Sequence, residues 1–264
     1  MDAALSRVAV DRPDGVGVAP GASARVSIVK GRVGAIKNPL LSVVMPAYNE
    51  RDTIDEIVRR VLAVPVRLEL IVIDDRSTDG TRELLQELQR ELGFTLVLQP
   101  ANAGKGAALR AGFAKVGGDI VVIQDADLEY SPEEYPELIE LIRKGLADVV
   151  YGSRFLGRHR VFLFTHYAGN RALTLLTNVL YNTMLTDMET CFKAMRVDVL
   201  RSFTLRSDRF GIEPELTAKI FKRGYRVYEI PITYSGRGYE EGKKITWVDG
   251  VEAVWTLLKY RFTE

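Results

Sequence analysis

Leu40-Leu41-Ser42-Val43-Val44-Met45 leads without a break into Pro46-Ala47-Tyr48-Asn49-Glu50. A short continuous apolar run suits a strand buried on both faces, and the polar loop marks where it leaves the core. The same arrangement recurs twice. Residues 68–73 are apolar and close on Asp74-Asp75-Arg76-Ser77-Thr78-Asp79-Gly80. Residues 120–123 close on Gln124-Asp125-Ala126-Asp127-Leu128-Glu129. Between and beyond these strands, apolar spacing predicts helices over 53–62, 79–92, 106–116 and 132–144, with further strands over 94–98 and 148–151. Alternating strand and helix predicts an α/β fold, a mainly parallel sheet flanked by helices on both faces. Ligands of such sheets lie beyond the carboxyl ends of the strands. The three polar loops are therefore expected to meet at one crevice.

Composition removes several alternatives. The chain has 264 residues, 47% hydrophobic and 27% charged, which is too apolar for a disordered polypeptide. Lys plus Arg number 36 against 35 Asp plus Glu, a formal charge of +1, so the basic excess of a nucleic-acid binder is missing and no nucleic-acid partner is expected. One cysteine, Cys191, excludes an internal disulfide framework and a cysteine-based zinc site. No apolar run reaches the roughly 18 residues of a membrane span. The N-terminus lacks the apolar stretch of a secretory signal, so a cytoplasmic setting is expected. Residues 1–38 carry repeated Gly and Pro and no aromatic side chain, and read as a disordered tail or linker, with a short strand over 24–33. Residues 39–264 form the main domain.

The crevice is not a P-loop, because Gly104-Lys105-Gly106-Ala107 lacks the earlier Gly and the following Ser or Thr. No G-x-G-x-x-G follows the first strand either. Asn102-Ala103-Gly104-Lys105-Gly106 feeds a helix N-terminus, where anions are favoured and Lys105 adds a positive charge. On an extended backbone, Asp125 and Asp127 fall on one side, and Glu129 continues the spacing. Carboxylate oxygens suit a hard cation, Mg²⁺ or Mn²⁺. Held by Asp125, Asp127 and Glu129, it would keep positions for diphosphate oxygens and neutralise a departing nucleotide.

Together these motifs resemble the family-2 glycosyltransferases of the GT-A fold, above all the dolichol-phosphate mannose synthases and bacterial polyprenyl-phosphate glycosyltransferases, over residues 40–261. The resemblance implies a Rossmann-like sheet with a nucleotide-sugar half (39–130), an acceptor half (131–240) and a C-terminal amphipathic interface helix (241–264). It implies that Pro46, Tyr48, Glu50, Ile73 and Asp75 hold the nucleobase and ribose. Asp125 and Ala126 would line the nucleotide, and Asp127 would ligate the metal. Glu129 stands where these synthases often carry Gln. Arg154 matches an arginine near the donor or acceptor phosphate, and Arg237 and Lys243 match a late basic loop over the diphosphate.

The acceptor half has its own signature. From Tyr151 to Thr186 there is no Asp or Glu, while Arg154, Arg158, Arg160 and Arg171 alternate with aromatic and aliphatic residues. Such a stretch reads as a surface for anionic membrane lipids, against the alternative of a core helix with basic flanks. Trp247, Val251, Val254, Trp255, Leu258 and Phe262 recur at helical spacing beside Lys243, Lys244, Lys259 and Arg261. They fit a bilayer interface or a helix docked on the sheet. A sugar hydroxyl needs a general base, whereas a phosphate monoester is already ionised and needs cations. Arg154, Arg158, Arg160 and Arg237 would supply the cations; Asp187, Glu189, Glu213 and Glu215 are the candidate bases. Cys191 reads as a small buried packing residue rather than a nucleophile. The expected activity is metal-dependent, inverting transfer of mannose or glucose from a GDP- or UDP-linked sugar to a polyprenyl phosphate. The enzyme would be peripheral on the cytoplasmic face of the membrane, or held there by a partner. A glycan or soluble hydroxyl acceptor is the alternative, and a non-catalytic nucleotide-sugar-binding scaffold the third reading.

Overall fold

A computed structural model of the chain describes residues 34–160, 163–237 and 247–264. The expected strand over 24–33, Lys243, Lys244 and the side chain of Trp247 lie outside the described residues. Ile36 is tied to the main domain: its amide donates to the Arg143 carbonyl at 2.9 Å.

The elements follow in the order β1 (Leu41–Ala47), α1 (Ile54–Ala63), β2 (Leu68–Asp74), α2 (Thr81–Leu92), β3 (Thr95–Leu98), α3 (Lys105–Phe113) and β4 (Ile120–Ile123). A short 3-10 turn at Pro132–Glu134 then opens α4 (Tyr135–Arg143), before β5 (Val149–Ser153) and α5 (Phe164–Tyr181). The chain closes with β6 (Lys193–Arg196), α6 (Val197–Arg201), α7 (Ile212–Lys222), β7 (Val227–Pro231) and α8 (Trp247–Phe262). One seven-stranded sheet runs in the order β3-β2-β1-β4-β6-β5-β7. All neighbours are parallel except β6, which is antiparallel to β4 and β5.

Both faces are covered, as the continuous apolar strands require. Leu41, Val43, Met45 and Ala47 of β1 face one core with the apolar stripe of α1 at Ile54, Ile57, Val58 and Val61. Val44 faces the opposite core with Ile71, Ile73, Leu109, Ile212 and Leu257. Asp55 and Glu56 begin α1 and Arg60 ends it, which suits the helix dipole. Helix α3 approaches the sheet so closely that a Cβ on Gly112 would meet Val44 and Ile73 at 2.5 Å.

Strands β6 and β7 are not predicted by the sequence pattern. Lys193-Ala194-Met195-Arg196 has only two apolar residues, yet Lys193 through Met195 are buried. Edge strand β7 alternates weakly and ends at Pro231, a residue tolerated at a sheet edge.

Candidate active site

The three strand-end loops do converge, and each contains a non-glycine residue in the left-handed region: Asn49 (φ 52°), Arg76 (φ 64°) and Leu128 (φ 61°). Such backbone costs on the order of 1 kcal/mol or more per residue and persists where surrounding contacts over-determine it. Those contacts are present. The Asn49 amide donates to Ser77 Oγ (3.0 Å), the Thr78 amide to Asn49 Oδ1 (2.8 Å) and the Glu50 amide to Thr81 Oγ1 (3.0 Å). These bonds lace the β1 loop to the β2 loop. Thr53 Oγ1 donates to the Ala126 carbonyl at 2.7 Å and ties in the third loop.

The two neighbouring aspartates that end β2 have separate tasks. Buried Asp74 accepts from Arg82 Nε at 2.5 Å and from the Ser77 amide at 3.2 Å, so it shapes its own loop. Asp75 accepts from the Ala103 and Gly104 amides at 2.9 and 2.7 Å. It therefore holds the loop that leads into α3. That loop lies against residues 207–209: a Cβ on Gly106 would meet the Ser207 carbonyl at 2.2 Å, and one on Gly104 (φ +93°) the Asp208 carbonyl at 2.5 Å. Only glycine fits at these two positions.

Lys105 does not stand open for a phosphate. Its ammonium lies 2.7 Å from Asp125 Oδ1 and 3.6 Å from Glu213 Oε1, and donates to Cys191 Sγ at 2.9 Å. Burial opposes its charge most strongly, but Asp125, Cys191 and Glu213 together outweigh burial and raise the Lys105 pKa. The same pair holds the buried Asp125 carboxyl below its ordinary value. Behind it, buried Lys193 bonds to Glu213 Oε2 at 2.5 Å and to the Thr190 carbonyl, and lies 4.9 Å from the centre of the Tyr151 ring. Burial pushes the Cys191 thiol well up, consistent with a packing role.

Asp127 and Glu129 face a different cation. Strand β4 ends at Ile123 and the chain bends over 126–129, so Asp125 and Asp127 do not lie on an extended backbone. Asp127 Oδ2 accepts from Arg237 Nη2 at 3.0 Å, and Oδ1 accepts the Glu129 amide at 3.1 Å. Glu129 Oε2 accepts from Tyr234 Oη at 2.6 Å, and Oε1 from the Arg237 amide at 2.8 Å. Arg237 also bonds to both oxygens of Glu50, at 3.1 and 3.4 Å. Among the described residues, no three His, Cys, Asp or Glu side chains are placed to hold a metal ion. The expected trio of Asp125, Asp127 and Glu129 is thus not preassembled, because Lys105 claims the first. Asp127 and Glu129 still have the right chemistry: hard oxygens, and a guanidinium standing among them as a cation. Burial, then repulsion from Asp125 and Glu129, pushes Asp127 up to about 7 despite Arg237.

Ile73 is fully buried, its side chain against Gly112 of α3. Arg154 is buried, with the Nε and Nη2 edge of its guanidinium donating to the two Asp187 oxygens, each at 2.7 Å. It stacks 5.3 Å from the Tyr234 ring, whose hydroxyl holds Glu129, so Arg154 is joined to the acidic loop. Pro46 pairs with Ile73 one residue before β1 ends, Tyr48 is exposed, and Ala126 is buried. Of the four candidate bases, Asp187 serves Arg154, Glu213 serves Lys193, and Glu215 accepts the Arg206 and Ser207 amides and pairs with Lys219. Glu189 differs in that burial raises it to about 7; its Oε1, like Glu213 Oε1, is buried without a hydrogen-bond partner. Tyr130, Lys193 and Tyr234 are functional neighbours that sequence reasoning misses. The one signal for Lys193 is a lone charge among Phe192, Ala194 and Met195.

Helices α5 and α8 expose large apolar side chains. On α5 the exposed side includes Phe164, Leu175 and Val179, at 78, 65 and 72% exposure. On α8 it includes Val251, Trp255 and Phe262, at 58, 66 and 83%. The two helices pack together, with Tyr181 Oη donating to the Leu257 carbonyl at 2.7 Å. No helix among the described residues is long and apolar enough to cross a membrane.

Known proteins share this layout. Solved structures of glucosyl-3-phosphoglycerate synthase from Mycobacterium tuberculosis share the fold; the complex with Mn²⁺, UDP and phosphoglyceric acid superposes with a TM-score of 0.68 at 24% identity, covering 85% of this chain and 79% of that one. A dolichol-phosphate mannosyltransferase of Pyrococcus furiosus is 29% identical over 234 residues, 83% of this chain and 64% of the relative. An undecaprenyl-phosphate 4-deoxy-4-formamido-L-arabinose transferase of Edwardsiella ictaluri is 32% identical over 212 residues, 77% of this chain and 62% of the relative. The chain thus spans less than two thirds of the length of these relatives. The model of the family described as glycosyl transferase family 2 matches residues 42–204, and the chain belongs to that family.

Proposed function

We propose that this glycosyltransferase moves a hexose, mannose or glucose, from a GDP- or UDP-linked donor to a polyprenyl phosphate at the cytoplasmic surface of a membrane. Residues 39–264 act as one GT-A unit, with the donor bound over 39–130 and the acceptor over 131–240. The observation that carries the donor half is the largely enclosed pair Asp127 and Glu129 beyond the carboxyl end of β4, facing a guanidinium between laced loops. A divalent cation such as Mg²⁺ or Mn²⁺, held there by Asp127 and Glu129, would neutralise charge developing on the departing diphosphate. Tyr48, Glu50 and Asp75 shape the nucleoside end. Lys105 keeps Asp125 charged and in place; Arg154 and Tyr234 orient Glu129.

The acceptor half is supported by the apolar faces of α5 and α8, the cations Arg171, Lys259 and Arg261 beside them, and the polyprenyl-phosphate relatives. An ionised phosphate oxygen attacks the anomeric carbon, the bond to the nucleoside diphosphate breaks, and its electron pair leaves with the diphosphate, inverting the centre. No base is needed. A membrane partner that anchors the enzyme fits the same face. Glu189 favours one second reading: with a carboxyl near neutrality and an unsatisfied oxygen, it is suited to deprotonate a sugar hydroxyl acceptor.

A thermal-shift panel of nucleotide sugars with Mn²⁺ tests the donor, because the cognate ligand raises apparent stability by RT ln(1 + [L]/Kd). Transfer to prenyl phosphate but not to free glycans supports the acceptor assignment. Transfer only to hydroxyls, lost in Glu189→Gln, replaces it with the second reading.

A further inference from the structure

We propose that Arg237 is a built-in counter-cation of the crevice, and that its displacement makes metal binding depend on nucleoside diphosphate binding; this rests on the donor reading above. The guanidinium sits within 3.0–3.6 Å of carboxylate oxygens from Glu50, Asp127 and Glu129, side chains only 10–15% exposed. Three carboxylates thus share one guanidinium, and Asp125 is already matched by Lys105. Both oxygens of Asp127 are occupied, one by Arg237 Nη2 and one by the Glu129 amide. A divalent cation needs the oxygen that Nη2 holds, and it would repel a guanidinium left beside it. Arg237 must swing out before the cation is bound.

The backbone is arranged for such a swing. The Arg237 amide is fastened to Glu129 Oε1 at 2.8 Å and the Ser235 amide to the Glu129 carbonyl at 3.0 Å, so the side chain turns about a fixed root. Its Nε is buried with no hydrogen-bond partner, so the present seat does not satisfy the whole guanidinium. A diphosphate offers what that seat lacks, a bidentate anionic partner. Once Arg237 turns to the diphosphate, Asp127 and Glu129 are released for the cation. The bare protein should therefore bind the cation poorly, and the nucleoside diphosphate should improve it.

Mn²⁺ titration followed by electron paramagnetic resonance reads this without turnover. In the wild-type chain, saturating UDP or GDP is expected to tighten Mn²⁺ at least tenfold. Arg237→Gln is expected to tighten Mn²⁺ several-fold in the absence of nucleotide and to shrink the nucleotide effect. Arg237→Lys keeps the charge and is expected to stay near wild type without nucleotide. Arg237→Gln binding Mn²⁺ alone no better than wild type, while keeping its melting temperature, overturns the proposal and leaves the donor reading intact. Absence of any Mn²⁺–nucleotide complex in the wild type overturns both.

Discussion

Helices α1 and α5 treat their apolar side chains in opposite ways. Helix α1 buries Ile54, Ile57, Val58 and Val61 and shows solvent Asp55, Glu56 and Arg59, so its burial is complete within the fold. Helix α5, at 18 residues the longer, fully buries only Thr174 and Thr177 and leaves Leu175 and Val179 outside. Helix α8 repeats the exposed pattern with Val251 and Trp255. A soluble monomer rarely displays apolar faces on two neighbouring helices. The contrast separates an N-terminal region closed by its own contacts from a helix pair, α5 and α8, whose exposed apolar side chains suit a further surface. On the proposed reading, that surface is lipid.

The sharpest break between the two regions is Asp127→Ala, expected to lower transfer by at least ~10³-fold while vesicle binding and melting temperature stay put. Unchanged turnover would end the metal role of Asp127. Next, Leu109→Ala, in the core between α3 and the sheet, is expected to destabilise the chain by about 2–5 kcal/mol in urea unfolding. Leu175→Ala on the exposed face is expected to stay within about 0.5 kcal/mol. Equal losses from both would erase the distinction. Trp255→Ser combined with Val251→Ser should weaken sedimentation with anionic prenyl-phosphate vesicles roughly tenfold, with little change in stability. Retained binding would move the membrane contact elsewhere.

The smallest effect is expected at Glu189, where the two halves meet. Its folded-state pKa is raised from 4.5 to about 7 by burial. The proton it keeps favours the folded state most at low pH, and that contribution fades as pH rises through 7. Glu189→Gln should therefore melt a few degrees higher than wild type at pH 8, with the gain vanishing near pH 4. A gain that is the same at both pH values would mean the carboxyl is not held protonated.

Strands β1, β2 and β4 and the helices beside them are legible in the sequence because each is buried on one stripe or on both faces, and burial leaves a periodic trace. The meeting of their three loops follows from the α/β layout alone. Strand β6 is hidden because Lys193 is buried by pairing with Glu213, a partner twenty residues away that local pattern cannot reveal. The assignment of cations is hidden for the same reason. Sequence spacing puts Asp125, Asp127 and Glu129 in one set; the bend after Ile123 gives the first to Lys105 and the others to Arg237.

What the sequence by itself determined is the layered architecture, the crevice and its chemical character, since these depend on hydrophobic periodicity and on residue types at strand ends. Only the tertiary structure decided which charges pair, that Arg154 is buried on Asp187, and which apolar side chains stay outside. Those outcomes depend on distances between segments far apart along the chain, and side-chain electrostatics changes decisively over a few ångströms.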